Sequence, residues 1–197
     1  RGIALALDLD RIDDALASFT AAARAASAAN SPREELLARL YRGETLLRSN
    51  RADAARADFA AALAAAVALD TREEQWKALY GLGRLDLAAG RELQARQALD
   101  RAIAIVDALR EGLAVPSSRA EFFQDKREVY DARIALGLNT DTTATVFELI
   151  ERSRARAWLS RLKLEAVSLA GVQARLAPET VLLAYWWSPP KAAVVRV

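Results

Sequence analysis

The sequence predicts a mostly α-helical solenoid of antiparallel helix pairs, ending in a short β-hairpin that opens an incomplete α/β domain. Three observations carry this. The first is an echo at a spacing of 40 residues. Arg11-Ile12-Asp13-Asp14-Ala15, running through Phe19 to Ala22, returns as Arg51-Ala52-Asp53-Ala54-Ala55 through Phe59 to Ala62. It returns again as Arg91-Glu92-Leu93-Gln94-Ala95 through Leu99 to Ala102, while Gly43 recurs as Gly83 and Leu7 as Leu47 and Leu87. A fixed period of this size means stacked helical units that bury their apolar faces only against their neighbours. The second is composition. The chain of 197 residues is 53% hydrophobic, yet its mean hydropathy is +0.01, because alanine supplies much of the apolar count. Alanine is the best helix former and lets helices approach closely. With only 8 Gly and 5 Pro, long helices joined by short turns are expected. The third is a change of character near residue 165, where β-branched and aromatic residues replace the helical pattern.

The elements follow in order. Residues 1–9 read as the end of a first helix, and 11–29 as its partner. Asn30-Ser31-Pro32 is a break with helix-start chemistry: Ser31 as N-cap, Pro32 in the first turn, and Glu34 three residues on to complete a capping box. Residues 32–48 and 51–69 make the second pair. Asp70-Thr71 caps the next helix, which runs to about Ala89 and stops at Gly90. Residues 91–110 are its partner, and Gly112 to Pro116 end the third unit. A helix over about 118–137, a polar turn at Asn139 to Thr143 and a long helix from Thr145 to Leu164 complete a diverged fourth unit. Val167 to Leu176 is a short amphipathic helix. Val181 to Trp187 is a strand, Ser188-Pro189-Pro190-Lys191 a turn, and Ala192 to Val197 a second strand. The adjacent Trp186 and Trp187 alternate faces on such a strand, so one enters the core. The expected limits are 1–164 for the helical repeats, with units at about 1–30, 31–70, 71–112 and 117–164. Residues 165–197 are the start of the further domain.

Composition also removes chemistry. The chain has no Cys and no His, which takes away a disulfide framework, thiolate ligands, a Cys nucleophile and the commonest general base. No cofactor, metal site or catalytic residue is expected. The net charge of +2 is too small for a nucleic-acid-scale basic field. The longest apolar run, Phe59 to Leu69, is shorter than the about 20 residues that span a bilayer and reads as the tail of a buried helix. No membrane association is expected, and the location read from these features is cytoplasmic, unless a leader once preceded Arg1.

The spacing resembles the tetratricopeptide repeat, which carries a small residue in its first helix and then Ala, an aromatic and Ala along its second. Gly43, Ala55, Phe59 and Ala62 match in one unit, and Gly83, Ala95, Leu99 and Ala102 in the next; the first unit keeps Ala15, Phe19 and Ala22. The 40-residue period exceeds the basic repeat of about 34 by roughly one and a half helical turns per pair. The resemblance implies a concave face lined by first helices, where partners bind. By register that face carries Leu37, Leu40, Tyr41, Glu44 and Arg48, then Lys77, Tyr80, Arg84 and Leu87. Lys77 falls at a position where chaperone-binding members hold a terminal carboxylate. Leu40, Tyr41, Glu44 and Gly81 occupy the other such positions, so a carboxylate clamp is not expected. Tyr41, Glu44, Arg48, Lys77, Tyr80 and Arg84 are the candidate partner-binding residues.

Two later segments narrow the reading. One is Lys126-Arg127-Glu128-Val129-Tyr130-Asp131 with Val146 to Ala157, which includes Glu151-Arg152-Ser153-Arg154-Ala155-Arg156. The other is Val172 to Tyr185, with its Leu-x-Pro-x-Thr-x-Leu-Leu-x-Tyr run from Leu176. Together they resemble the junction into a CHAT domain, the caspase-like domain that follows tetratricopeptide repeats, mostly in bacteria. The resemblance implies a regulatory, protein-binding arm of a caspase-like cysteine peptidase or its relative. The partner is then a protein, a peptide or the CHAT domain of the same full-length chain. The family's peptidases use a His-Cys pair, and neither residue occurs here, so this chain is not itself an enzyme. A stand-alone scaffold with no protease attached is the alternative. Nucleic-acid binding through the Arg-rich helix 152–163 is the second. Against it, Glu148 precedes Arg152 by four residues, the favourable order for an ion pair within a helix.

Overall fold

The computed structural model describes residues 11–111, 126–162, 168–188 and 191–196. Among them are eight helices, packed in adjacent pairs, and two strands: α1 (Ile12–Ala28), α2 (Pro32–Arg48), α3 (Ala52–Ala68), α4 (Arg72–Ala88), α5 (Glu92–Glu111), α6 (Arg127–Thr140), α7 (Thr143–Leu162), α8 (Leu169–Gln173), β1 (Leu183–Ser188) and β2 (Lys191–Arg196). The chain divides into two compact units, residues 1–109 and 110–197. This division falls well ahead of residue 164, where the composition changes. The expected first helix at 1–9, the unit end at 112–116 and the start of the helix at 118 lie outside the described residues.

The first unit repeats every 20 residues, half the period of the sequence echo. Helices α1 to α4 are each 17 residues long, and each hands over to the next through three residues. The middle residue of each turn is left-handed: Asn30, Asn50, Asp70 and Gly90, with φ between 49° and 68°. The next amide then reaches back across the helix end. Ser31, Arg51, Thr71 and Arg91 donate to the carbonyls of Ala26, Leu46, Ala66 and Asp86, each at 2.9 Å. This is the Schellman arrangement, which satisfies carbonyls that a helix end leaves open. The same geometry corrects the capping expectation. Ser31 and Thr71 precede their helices, but neither hydroxyl accepts an amide of the first turn. Their ψ of 79° and 87° falls short of the extended range that aims an N-cap oxygen inward. The Thr71 hydroxyl turns instead towards the Ala66 carbonyl, at 3.4 Å.

Packing turns on glycine against rings. Phe59, 1% exposed, lies in a slot between α2 and α4. A Cβ built at Gly43 would stand 3.1 Å from its ring, and one at Gly81 only 2.5 Å. Gly83 meets Leu99 in the same way, at 2.8 Å. Ala55, Ala62, Ala95, Leu99 and Ala102 are fully buried. Gly81 therefore belongs to the packing set, not to the partner-facing positions the register gave it. Leu40 is likewise corrected: it is buried in the core with Leu16, Leu46, Phe59 and Leu85. Ala22 is exposed, with Ala23 buried in its place. The leading helix expected beside it falls on residues outside the described ones. The apolar run of α3 is not wholly buried either, because Ala60, Ala64, Val67 and Ala68 face out.

In the second unit α6 and α7 form a hairpin joined by Asp141 and Thr142 alone, tighter than the expected turn at 139–143. The Thr142 hydroxyl accepts the Thr145 amide at 3.2 Å and so caps α7. Val129, Tyr130, Ile134, Phe147 and Ile150 fill the interface. Arg133 and Asp141 form an ion pair at 2.6 Å with side chains 4% and 1% exposed. Gly137 leaves the space for it: a Cβ there would stand 3.0 Å from the Asp141 carboxylate and 3.1 Å from the Arg133 guanidinium. Ser168 caps α8 by accepting the Gly171 amide at 3.1 Å. Strands β1 and β2 are antiparallel, with Tyr185 opposite Val194 and Trp186 opposite Ala193. Trp186 is buried, and its indole N–H donates to the Asp131 carboxylate of α6 at 2.8 Å. Leu183, Tyr185 and Trp187 point the other way, Trp187 being 69% exposed.

Candidate functional site

Helices α2 and α4 lie side by side as the leading helices of successive units. The structure brings three of the six candidate residues together through two contacts and sets the other three apart. Glu44 of α2 and Arg84 of α4 pair through two hydrogen bonds: Nη1 donates to Oε1 at 3.1 Å, and Nη2 donates to Oε2. The Arg84 guanidinium also lies 4.5 Å from the Tyr80 ring centroid. A planar cation stacked on an aromatic face and forked onto a carboxylate is held on two sides at once. Lys77 stays on its own helix, 3.1 Å from Glu73 four residues earlier and 5.6 Å from the Trp76 ring. Tyr41 stacks on Phe19 of α1, with ring centroids 6.0 Å apart and planes 15° from parallel. It is still 42% exposed, so it presents one aromatic face outward. Arg48 is exposed in the last turn of α2, where a positive charge meets the negative end of the helix dipole.

Electrostatically this face is largely satisfied by its own pairs. Glu44 holds Arg84 and Glu73 holds Lys77. What the face offers a partner is the Tyr41 ring, the half-buried Leu37 and Leu87, and the charges around them. Among the described residues no group of three or more acidic side chains could hold a metal ion.

Sequence reasoning missed a second set of polar contacts, on the opposite side of the leading helices. Asp58 of α3, with 4% of its side chain exposed, receives Arg42 Nε and Nη2, both at 2.6 Å. This contact raises the Arg42 pKa. Arg39 stands 3.9 Å from the same carboxylate and 2.7 Å from Glu35, whose pKa is lowered chiefly by its hydrogen bond from Arg39. Asp86 of α4, with 7% of its side chain exposed, receives Arg56 of α3 at 2.5 Å and Arg91 at 2.8 Å. The signal was present: Asp58 interrupts an alanine run and Asp86 sits between leucines, each on an otherwise apolar stripe. Of the Arg-rich helix, Arg154, Arg156, Arg161 and Lys163 have side chains outside the described residues.

Comparison with protein-family models, with curated proteins and with solved structures returns no match. Among the described residues no helix is long and apolar enough to cross a membrane.

Proposed function

We propose that this chain is the tetratricopeptide-like, protein-binding and regulatory arm of a CHAT-domain protein, and that α2 and α4 provide the recognition face. The observation that carries the reading is the arrangement of that face. An exposed Tyr41 is braced on Phe19, beside a leading helix fixed to its neighbour by Glu44, Arg84 and Tyr80. A rigid aromatic anchor on a pre-ordered helix pair binds with little loss of side-chain freedom. The outward apolar face of β1, with Leu183, Tyr185 and Trp187, supports the CHAT part, since it is a surface that further elements of an α/β domain would cover. The chain itself brings no His or Cys to catalysis.

The test has two arms. A photo-crosslinking residue at position 41 or 77 of the native protein is expected to trap a polypeptide, and the same residue at Ala57, exposed on α3, to trap none. Equal trapping at 57, or none at 41 and 77, overturns the recognition face. Intact mass and sequencing of the native protein past Val197 test the rest. A continuation with a His and a later Cys supports the peptidase arm. A stop at Val197, or a continuation without that pair, leaves a stand-alone scaffold.

A further inference from the structure

Two neighbouring grooves of the first unit are built from equivalent positions but carry opposite chemistry. In the groove between α1 and α3, Arg42 is forked onto Asp58 and also donates to the Thr20 hydroxyl at 3.1 Å, with Arg39 behind it. These four side chains seal the groove. Forty residues on, Thr20, Arg39, Arg42 and Asp58 become Ala60, Leu79, Leu82 and Ala98. Every polar group of the seal is replaced by an apolar one. The groove between α3 and α5 is correspondingly hollow: a cleft of about 500 Å³ floored by Leu63, Leu79, Leu82 and Ala98. That volume is in the range of small-molecule sites.

The rim sets the sign of the occupant. Arg56, Arg101, Gln94 and Gln97 stand around the cleft with Asp86 and Asp100. Asp86 already receives two guanidiniums, from Arg56 and Arg91, and Asp100 has a partner of its own. Among the described residues Arg101 has no ion-pair partner. The carboxylates of the rim are thus engaged, while positive charge remains. An apolar floor beside the unpaired Arg101 guanidinium fits an apolar chain that ends in one negative charge.

We propose that the cleft between α3, α4 and α5 binds an aliphatic monocarboxylate. Its chain lies on Leu63, Leu79, Leu82 and Ala98, and its carboxylate meets Arg101 and the outer N–H groups of Arg56. The site shares α4 with the recognition face but uses none of its residues, and it does not depend on it. The ligand is either a free fatty acid or the C-terminal carboxylate of an apolar peptide.

The test is titration of the full chain with octanoate, octanol and an acetylated Ala-Leu peptide with a free carboxylate, read by methyl chemical shifts. Octanoate or the peptide is expected to shift the Leu79 and Leu82 methyls saturably, and the tighter of the two assigns the source. Octanol is expected to bind about tenfold more weakly, the worth of one charge-assisted contact, and Arg101→Gln to remove that difference. Leu82→Arg with Ala98→Asp rebuilds the seal of the neighbouring groove. It is expected to abolish binding while leaving the circular dichroism spectrum unchanged. If this variant does not fold, Arg101→Gln alone decides. Absence of saturable shifts, equal binding of octanol, or unchanged binding to a folded sealed variant overturns the proposal. The cleft is then only an interface whose ion pair has moved to Arg56 and Asp86.

Discussion

At the scale of single residues, the fold depends on atoms that are missing. Gly81 has no side chain because the Phe59 ring occupies the space one would need. Gly81→Ala forces the ring or α4 to shift and is expected to cost about 1–3 kcal/mol in urea unfolding, the usual penalty for overpacking. The turn residues make the reverse case. Asp70 is left-handed at φ 49°, where Gly90 does the same job in the next turn. Asp70→Gly is expected to stabilise by about 0.5–1 kcal/mol, the left-handed penalty less the entropy that glycine adds to the unfolded chain. Glu35 sets a pH dependence. Its pKa is held below the ordinary 4.5, mainly by Arg39, so it stabilises the fold above that pH and loses the effect as pH falls through its folded value. The gap in melting temperature between the native chain and Glu35→Gln is expected to be present at pH 6 and to close towards pH 3.

At the scale of helices, the ion pairs select which helix packs on which. Asp58 is buried, and Arg42→Leu leaves it with Arg39 alone at 3.9 Å. That change is expected to cost about 3 kcal/mol, the penalty of stranding a buried charge. Adding Asp58→Ala is expected to recover about 1–3 kcal/mol of it, measured as a double-mutant coupling. The same elements show what the sequence can and cannot tell. Helix existence and order follow from the 40-residue echo, because periodicity and turn residues are local signals. The burial of Phe59 and the sidedness of the two tryptophans follow from spacing alone. The role of Gly81 does not, since its function is set by a ring on another helix. Nor do the pairs of Asp58 with Arg42 and of Asp86 with Arg56, which join residues 16 and 30 apart. Ser31 and Thr71 mislead for a related reason. Their composition matches an N-cap, but their amides are already committed to the helix before.

At the scale of the whole chain, each compact unit has its own buried interior, so damage should remain local. Gly81→Ala is expected to lower amide hydrogen-exchange protection within residues 11–109 and to leave α6 and α7 unchanged. Gly137→Ala displaces the Arg133–Asp141 pair and is expected to do the converse. Loss of protection across both units from either substitution would show that they unfold as one.

The four turns of the first unit have a further consequence. Because the link within a pair and the link between pairs share one geometry, the backbone marks no helix as the beginning of a unit. A 40-residue block cut at any of these turns and inserted at another meets the same junction at both ends. The length of such an array can therefore change by duplication without a new loop having to arise. Order along it is written in side chains alone: a copied block that brings Arg42 opposite Ala98, or Arg56 opposite Leu46, sets a charge against an apolar side chain and leaves it without its counterpart. The backbone leaves the number of units open, and the buried acids fix their sequence.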